Sequence, residues 1–376
     1  MEKIKTAVVG CGVISKVYLD SFRDKFTVID VVGCSDIDEE KMKETAREYH
    51  ILPVKWQDMM EDTEIQMIIN LTNPSVHYTL TKQALEAGKH VFSEKMLAVS
   101  FEEGRELCRI AEEKKLRLGV APDTFLGGGI QSAANAVRRG LVGEILSGVV
   151  SLSRDYRVLG EILPHLNRKG GSVLYDMGCY YLTALCSILG PVKQVSALGR
   201  CRNPKRQGKR IGGPLFEEEY TVEEPNLITA LLEFENGVLI TFHLNGESIR
   251  DETFRMELYG DSGIIQLGDP NTFNGETILH KAGNSPVKLP YTHGFQGESR
   301  GLGAAEMAWA IQKGRPHRAN GEMGLHVLEI THGIMESIRN RSNYSMTTSF
   351  NIPNPLPEGY IGNGFWGPSE ESALLV

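Results

Sequence analysis

TAVVGCGVISKVYLDSFRDKFTVIDVVGCSD, residues 6–36, decides how the rest of the chain is read. Thr6–Val9 is a short apolar run suited to a buried strand, and it leads directly into Gly10-Cys11-Gly12-Val13-Ile14-Ser15. A helical stretch follows to about Arg23, then a second apolar strand over Phe26–Cys34 that ends at Asp36. Strand, glycine turn, helix, strand and acid in this order describe a dinucleotide-binding βαβ unit. Gly10 permits the tight turn and Gly12 lets the backbone approach a pyrophosphate. The new helix, opening at Val13 and Ile14, offers its free N–H groups to the anion. Ser15 stands where the usual fingerprint has a third glycine.

Asp36 bears on the choice of cofactor. A carboxylate at the tip of the second strand accepts hydrogen bonds from both adenosine ribose hydroxyls and repels a 2′-phosphate. No Arg or Lys follows to receive such a phosphate, because Ile37 and Asp38 come next. NAD is therefore expected ahead of NADP. Asp38 suits the N-cap of a helix over Asp38–Tyr49, which leaves Asp36 free for ribose.

Strand and helix continue to alternate outward from this unit. Gln66–Leu71, His90–Ser93 and Leu116–Ala121 read as strands, with helices over Ser75–Ala87 and from Ser100 to about Lys114. Ser100 and Glu103 form a capping box. The expected fold is α/β: an N-terminal Rossmann doubly wound parallel sheet over residues 1–122. A helix over Ile130–Arg139 and an alternating strand over Ile145–Tyr156 then change the character of the chain. Leu227–Glu233 and Val238–Leu244 flank Glu235-Asn236-Gly237, a hairpin signal, and Phe254–Tyr259 with Ile264–Leu267 suggest another. Residues 123–350 are thus expected to form an α+β domain with an open, mostly antiparallel sheet. Helices near Ala304–Lys313 and Gly321–Asn340 follow, then a Pro/Gly-rich tail over 351–376. Arg202–Glu224 carries a basic cluster and then an acidic one; it reads as a solvated excursion between strands, or as a docking or substrate-covering loop.

The 376 residues suit two domains. A net charge of −8 argues against nucleic acid and anionic membranes, which want basic surface. No apolar stretch approaches a membrane span, and the six scattered cysteines fit free thiols in a reducing compartment, so a cytoplasmic location is expected. Histidine and cysteine spacing gives no metal site.

Three segments carry chemistry, and the first two lie at the carboxyl edge of the parallel sheet, where ligands bind in such folds. Thr72-Asn73-Pro74 with His77 follows one strand, and Glu94-Lys95 follows another. Gly170-Gly171 leads to Asp176 and Tyr180, four residues apart and so on one helical face.

Together the glycine turn, N-P-x-x-H, A-x-x-A-G-K-H-V-x-x-E-K and Asp-x-Gly-x-Tyr resemble the glucose–fructose oxidoreductase / inositol dehydrogenase / MocA family, over Ile4 to about Thr348. The resemblance implies an NAD(P)-dependent oxidoreductase acting on a secondary hydroxyl of a sugar, glycoside or cyclic polyol, assembled as a homodimer or homotetramer. It implies Gly10, Gly12, Val13, Ile14, Asp36, Thr72, Asn73, Pro74, His77, Glu94 and Lys95 at the cofactor, and Lys95 as the active-site lysine. Met96 replaces the proline of the family's Glu-Lys-Pro motif, so the placement of Lys95 rests more on packing.

Hydride removal from an alcohol carbon also requires the hydroxyl proton to leave, so a base must touch that oxygen. Tyr180 is the first candidate, its phenol pKa brought down by the Lys95 ammonium, with Asp176 orienting Lys95 or a substrate hydroxyl. His165 is the rival base or a hydroxyl ligand. Asp123, Arg154 and Tyr156 are further substrate-pocket candidates, and His77 is expected to fix the turn after Asn73-Pro74. Two other activities share the resemblance: cleavage of a glycoside through transient oxidation by tightly held NAD, and a non-catalytic NAD-loaded regulator.

Overall fold

The computed structural model describes residues 3–249 and 253–358. Residues 359–376, most of the expected tail, lie outside them. The first six strands are β1 (Ile4–Val9), β2 (Ile29–Ser35), β3 (Leu52–Pro53), β4 (Met67–Asn70), β5 (His90–Ser93) and β6 (Leu118–Val120). All pair in parallel, in the order β3-β2-β1-β4-β5-β6. Helices α1 (Val13–Asp24), α2 (Glu39–Tyr49), α3 (Trp56–Glu61), α4 (Pro74–Glu86) and α5 (Phe101–Glu113) connect them. The order reverses between β1 and β4, which opens a crevice at the carboxyl ends of the central strands.

Local chemistry sets the boundaries. Asp38 caps α2 by accepting from the Glu40 and Lys41 amides. The Ser100–Glu103 capping box opens α5 with both of its reciprocal bonds present. Gly10 has φ +95°, and a Cβ there would lie 2.7 Å from the Leu71 carbonyl carbon and oxygen, so only glycine fits where β1 turns into α1.

The second half holds α6 (Gly128–Arg138), β7 (Ile145–Ser153), α7 (Tyr156–Ile162), α8 (Cys179–Leu189) and β8 (Val192–Arg200). A two-stranded ribbon, β9 (Lys205–Gln207) with β10 (Glu219–Thr221), comes next. Then follow β11 (Leu227–Phe234), β12 (Leu239–Asn245), β13 (Thr253–Gly260), β14 (Gly263–Gln266), β15 (Ile278–His280), β16 (Val287–Lys288), α9 (Leu302–Lys313), α10 (Gly321–Asn340) and β17 (Tyr344–Ser345). Nine of these strands form one sheet, β16-β15-β14-β13-β7-β12-β11-β8-β17, antiparallel except where β7 meets β12. Both expected hairpins are present, with Gly237 at φ +87° in the first turn.

Three expectations need correction. The strand from Ile145 stops at Ser153, because the Asp155 carboxylate accepts the Arg157 amide and starts α7 at Tyr156. Asp176 and Tyr180 are not on one regular helix: Leu174–Gly178 is a π-helical turn that merges into α8. The Arg202–Glu224 segment contains the β9–β10 ribbon, and it is tethered: Arg206 pairs with Glu247 at 2.6 Å, and Glu161 of α7 accepts the Lys209 and Arg210 amides.

Candidate active site

The glycine turn and the acid are joined. Asp36 Oδ2 accepts the Cys11 amide at 2.7 Å and Oδ1 accepts the Asp38 amide at 2.8 Å. This fixes the carboxylate beside the turn. Helix α1 begins after Gly12 with no side-chain cap and no acid in its first turn, so its N-terminal dipole is left uncompensated. A Cβ on Gly12 would meet nothing within 4 Å, so the approach to those amides is open. Val13 and Ile37 expose their side chains on either side of the turn. An anion-binding helix start, apolar flanks and a fixed acid together suit a dinucleotide.

At the next strand ends, Thr72 donates to Asn70 Oδ1 at 2.6 Å, Asn73 is the N-cap of α4 and Pro74 its first residue. His77 is fully buried, with Nε2 2.9 Å from the Thr72 carbonyl and Nδ1 2.8 Å from the Met96 carbonyl. It ties the two strand-end turns together from below and presents no free surface to a cofactor, which corrects its assignment as a direct cofactor contact. It also supplies the anchoring that proline would otherwise give at position 96. The Lys95–Met96 peptide is cis.

Lys95 and Asp176 meet across the crevice. Nζ lies 3.0 Å from Asp176 Oδ1 and 3.1 Å from its carbonyl oxygen, and both side chains are partly accessible. The other oxygen, Oδ2, accepts the Tyr156 hydroxyl at 2.6 Å. Burial is the largest single influence on each and opposes its charge, but the neighbours together outweigh it: Lys95, the Tyr156 hydroxyl and Arg154 hold Asp176 below the usual carboxylate range, and Asp176, Tyr180, Cys179 and Glu94 hold Lys95 well above the usual ammonium value. Lys95 Nζ also sits over the Tyr180 ring, 5.2 Å from its centroid. Behind it, Glu94 accepts the Tyr18 hydroxyl at 2.7 Å and the Lys95 amide at 3.0 Å.

Several expected residues behave differently here. Tyr180 is 7 % exposed, and burial pushes its phenol up to about 12 although Lys95 acts to lower it. The ammonium does not bring it toward neutrality, because desolvation of the phenolate is the larger effect. His165 is exposed, on the short 3-10 turn Pro164–Asn167, within the electrostatic influence of Asp176 and Lys95. Burial of part of the ring holds its pKa below the usual histidine value. Arg154 follows β7 and its charge acts on Asp176, Tyr156 and Asp269. Tyr156 is 1 % exposed and serves Asp176 rather than lining an open pocket. Asp123 is also removed from the substrate: its buried Oδ2 accepts the Gly301 and Gly303 amides at 2.9 Å each, binding the start of α9.

Tyr18, Arg300 and Asp269 were missed in the sequence. The Arg300 guanidinium is bonded to Asn271, and its charge favours the phenolate of Tyr180. Each lies far in sequence from the motifs it joins, and no local pattern marks it.

Comparison with known proteins agrees with this fold. Residues 4–121 match the model of an oxidoreductase family with an NAD-binding Rossmann fold. Residues 130–266 match the GFO/IDH/MocA C-terminal domain. An uncharacterised oxidoreductase of Schizosaccharomyces pombe is 27 % identical over 58 % of this chain, which spans 59 % of that protein. A Bacillus subtilis scyllo-inositol 2-dehydrogenase (NADP(+)) is 27 % identical over 91 % of the chain and 95 % of its own length. The structure of a levoglucosan dehydrogenase with NADH and L-sorbose superposes with a TM-score of 0.81 at 19 % identity, over 92 % of this chain and 99 % of the other, which shows a shared fold.

Proposed function

The chain belongs to the Gfo/Idh/MocA family of NAD-binding oxidoreductases, and from that premise we propose that it is a dehydrogenase of a sugar, glycoside or cyclic polyol, with NAD as the working cofactor. The observation that carries this reading is the 3.0 Å pair of Lys95 and Asp176 at the carboxyl edge of the parallel sheet, beside an open dinucleotide cradle. When bound, the cofactor supplies the hydride acceptor or donor. Gly10, Gly12 and the amides at the start of α1 hold its pyrophosphate, with Val13 and Ile14 in that first turn. Asp36 takes the ribose hydroxyls, and Thr72, Asn73, Pro74 and Glu94 shape the inner wall.

Lys95 donates to the substrate oxygen and fixes it for reaction. Asp176 keeps that ammonium charged and aimed, and Tyr156 keeps Asp176 in place. Tyr180 exchanges the hydroxyl proton. Held protonated, it is ready to give a proton to a carbonyl oxygen that is being reduced; in oxidation it is the phenolate form, its own proton first released to solvent, that takes the hydroxyl proton. His165 at the exposed rim, neutral at pH 7, is placed to bind a second hydroxyl. Arg154 completes the polar wall.

The test is a panel of scyllo-inositol, levoglucosan, D-glucose and related glycosides with NAD and NADP, following nicotinamide absorbance and product mass together. The proposal expects a substrate whose oxidation produces NADH in stoichiometric amount. Cleavage of a glycoside without net NADH, or NAD binding with no turnover on any member, contradicts it.

A further inference from the structure

A cavity of about 180 Å³ lies between the start of α5, the second half of α10 and the segment that leads from Lys169 into the π-helical turn. Space of about 150 Å³ is enough for one six-membered ring, so this cavity takes a ring with substituents. It is distinct from the site described above, since Lys95, Asp176, Tyr180 and His165 do not line it. Adjacent residues serve the two places. Tyr175 lines the cavity, whereas Asp176 turns to Lys95 and Tyr156.

Two polar groups in the cavity wall have no hydrogen-bond partner among the described residues. Tyr175 is 7 % exposed, yet its hydroxyl is unbonded. Glu224, Arg339 and Glu336 all act on that phenol, and all three line the cavity, so the oxygen faces it. His332 stacks on Phe101 with ring centroids 5.6 Å apart and meets Tyr344 edge-on, but neither of its nitrogens is bonded. Buried polar groups are as a rule satisfied. A hydroxyl aimed into a cavity without a protein partner therefore marks a place where a ligand completes the bond.

The charges in the wall are already balanced. Glu336 pairs with Arg339. Buried Glu224 accepts the Gly170 amide at 3.1 Å and has the opposite charge of Lys169 acting on it. Glu102 lies in the first turn of α5, where the helix dipole compensates an acid. A charged ligand gains little from such a wall. What remains is a phenol and an imidazole, which both give and take hydrogen bonds, set among the apolar surfaces of Phe101, Leu328 and Met335. A ring that carries hydroxyls meets both needs, because each hydroxyl donates and accepts while the C–H faces are apolar. We propose that this cavity is a second binding site, for a small neutral polyhydroxylated ring (a cyclitol or a monosaccharide) held by the Tyr175 hydroxyl and the His332 ring. The proposal does not depend on what the Lys95 site turns over.

The test uses NMR of the full chain with ring-labelled histidine, the His332 resonance being assigned by its loss in His332→Gln. That resonance is followed during titration with scyllo-inositol and, separately, with D-glucose. The proposal expects a saturable displacement with at least one of them, at a dissociation constant on the order of 1 mM or tighter. A response to only one identifies the ligand as cyclitol or sugar. Tyr175→Phe removes only the hydroxyl and should weaken binding about tenfold, the effect of one neutral hydrogen bond. Met335→Trp fills the cavity and should abolish the response. If Met335→Trp does not fold, Tyr175→Phe decides alone. A resonance that neither polyol moves overturns the site and leaves the Tyr175 hydroxyl to water. Unchanged affinity in Tyr175→Phe also overturns it, because the ligand is then bound elsewhere. Saturation by the zwitterion L-alanine, with no response to the polyols, overturns the ligand class.

Discussion

Asp176 divides its acceptors between two partners, giving one carboxylate oxygen to Lys95 and the other to Tyr156. Removing either partner leaves a largely buried carboxylate short of a bond. The Tyr156 bond is charge-assisted, and losing it costs about 1.5–3 kcal/mol. Tyr156→Phe should therefore lower kcat about 10- to 100-fold without altering cofactor affinity. Steady-state kinetics beside a cofactor titration will check this; a raised KM with kcat unchanged would mean that Tyr156 serves substrate binding instead. Asp36 governs a separate choice. Asp36→Ser removes the charge facing a 2′-phosphate, so the NADP/NAD preference should rise at least about tenfold in a paired titration. An unaltered ratio would show that the acid does not select the cofactor.

Among the elements, those with a strong local signal matched their sequence reading. Helix α10 (Gly321–Asn340) and strand β5 (His90–Ser93) agree with it at both ends, and the capping box fixed the start of α5. Helix α7 was hidden because Ile145–Tyr156 keeps alternating in polarity past the residue where Asp155 caps a new helix. The π-helical turn at Leu174–Gly178 has no sequence signature, although it is what brings Asp176 and Tyr180 around Lys95. Lys95, Asp176 and Tyr180 were legible through the resemblance of their motifs. Tyr18 and Arg300 were not, since tertiary packing alone brings them there.

Helix α10 also carries a pH-sensitive joint. His326 Nε2 accepts the Val192 amide at 2.9 Å, so the ring must be neutral at that nitrogen, and burial pushes its pKa down to about 4. An unfolded histidine takes its proton near pH 6.5. The stability that the neutral ring contributes is thus fully present above about 6.5 and is lost as pH falls toward 4. Asp123 and Glu224, raised to about 7 by burial, act in the opposite sense, favouring the fold as pH falls from 7 toward 4. The difference between His326→Gln and wild type isolates the histidine. The melting temperature of the variant should fall less steeply between pH 6.5 and 4, and equal slopes would contradict the account.

At the scale of the whole molecule, the nine-stranded sheet turns one face to solvent. Leu198, Leu231 and Leu239 are exposed there on one side of strands β8, β11 and β12, Leu198 opposite Thr229 and Leu239 opposite Glu233, each two residues along β11 from Leu231. Apolar residues gathered on an open sheet mark an association surface. We propose that a second copy of the chain covers it. Light scattering should give a dimer or tetramer, and Leu231→Glu with Leu239→Glu should shift it toward monomer; a monomeric wild type would contradict this. Among the described residues no helix is long and apolar enough to cross a membrane.

The central claim is that Lys95 serves the reaction and not the fold or the cofactor, and Lys95→Met tests it most directly by keeping the apolar stem while removing the charge. Cofactor titration and turnover would be measured on the same preparation. The account predicts NAD binding at the wild-type dissociation constant and a kcat reduced by about 10³-fold or more. Turnover within a few-fold of wild type, with the cofactor bound normally, would contradict it.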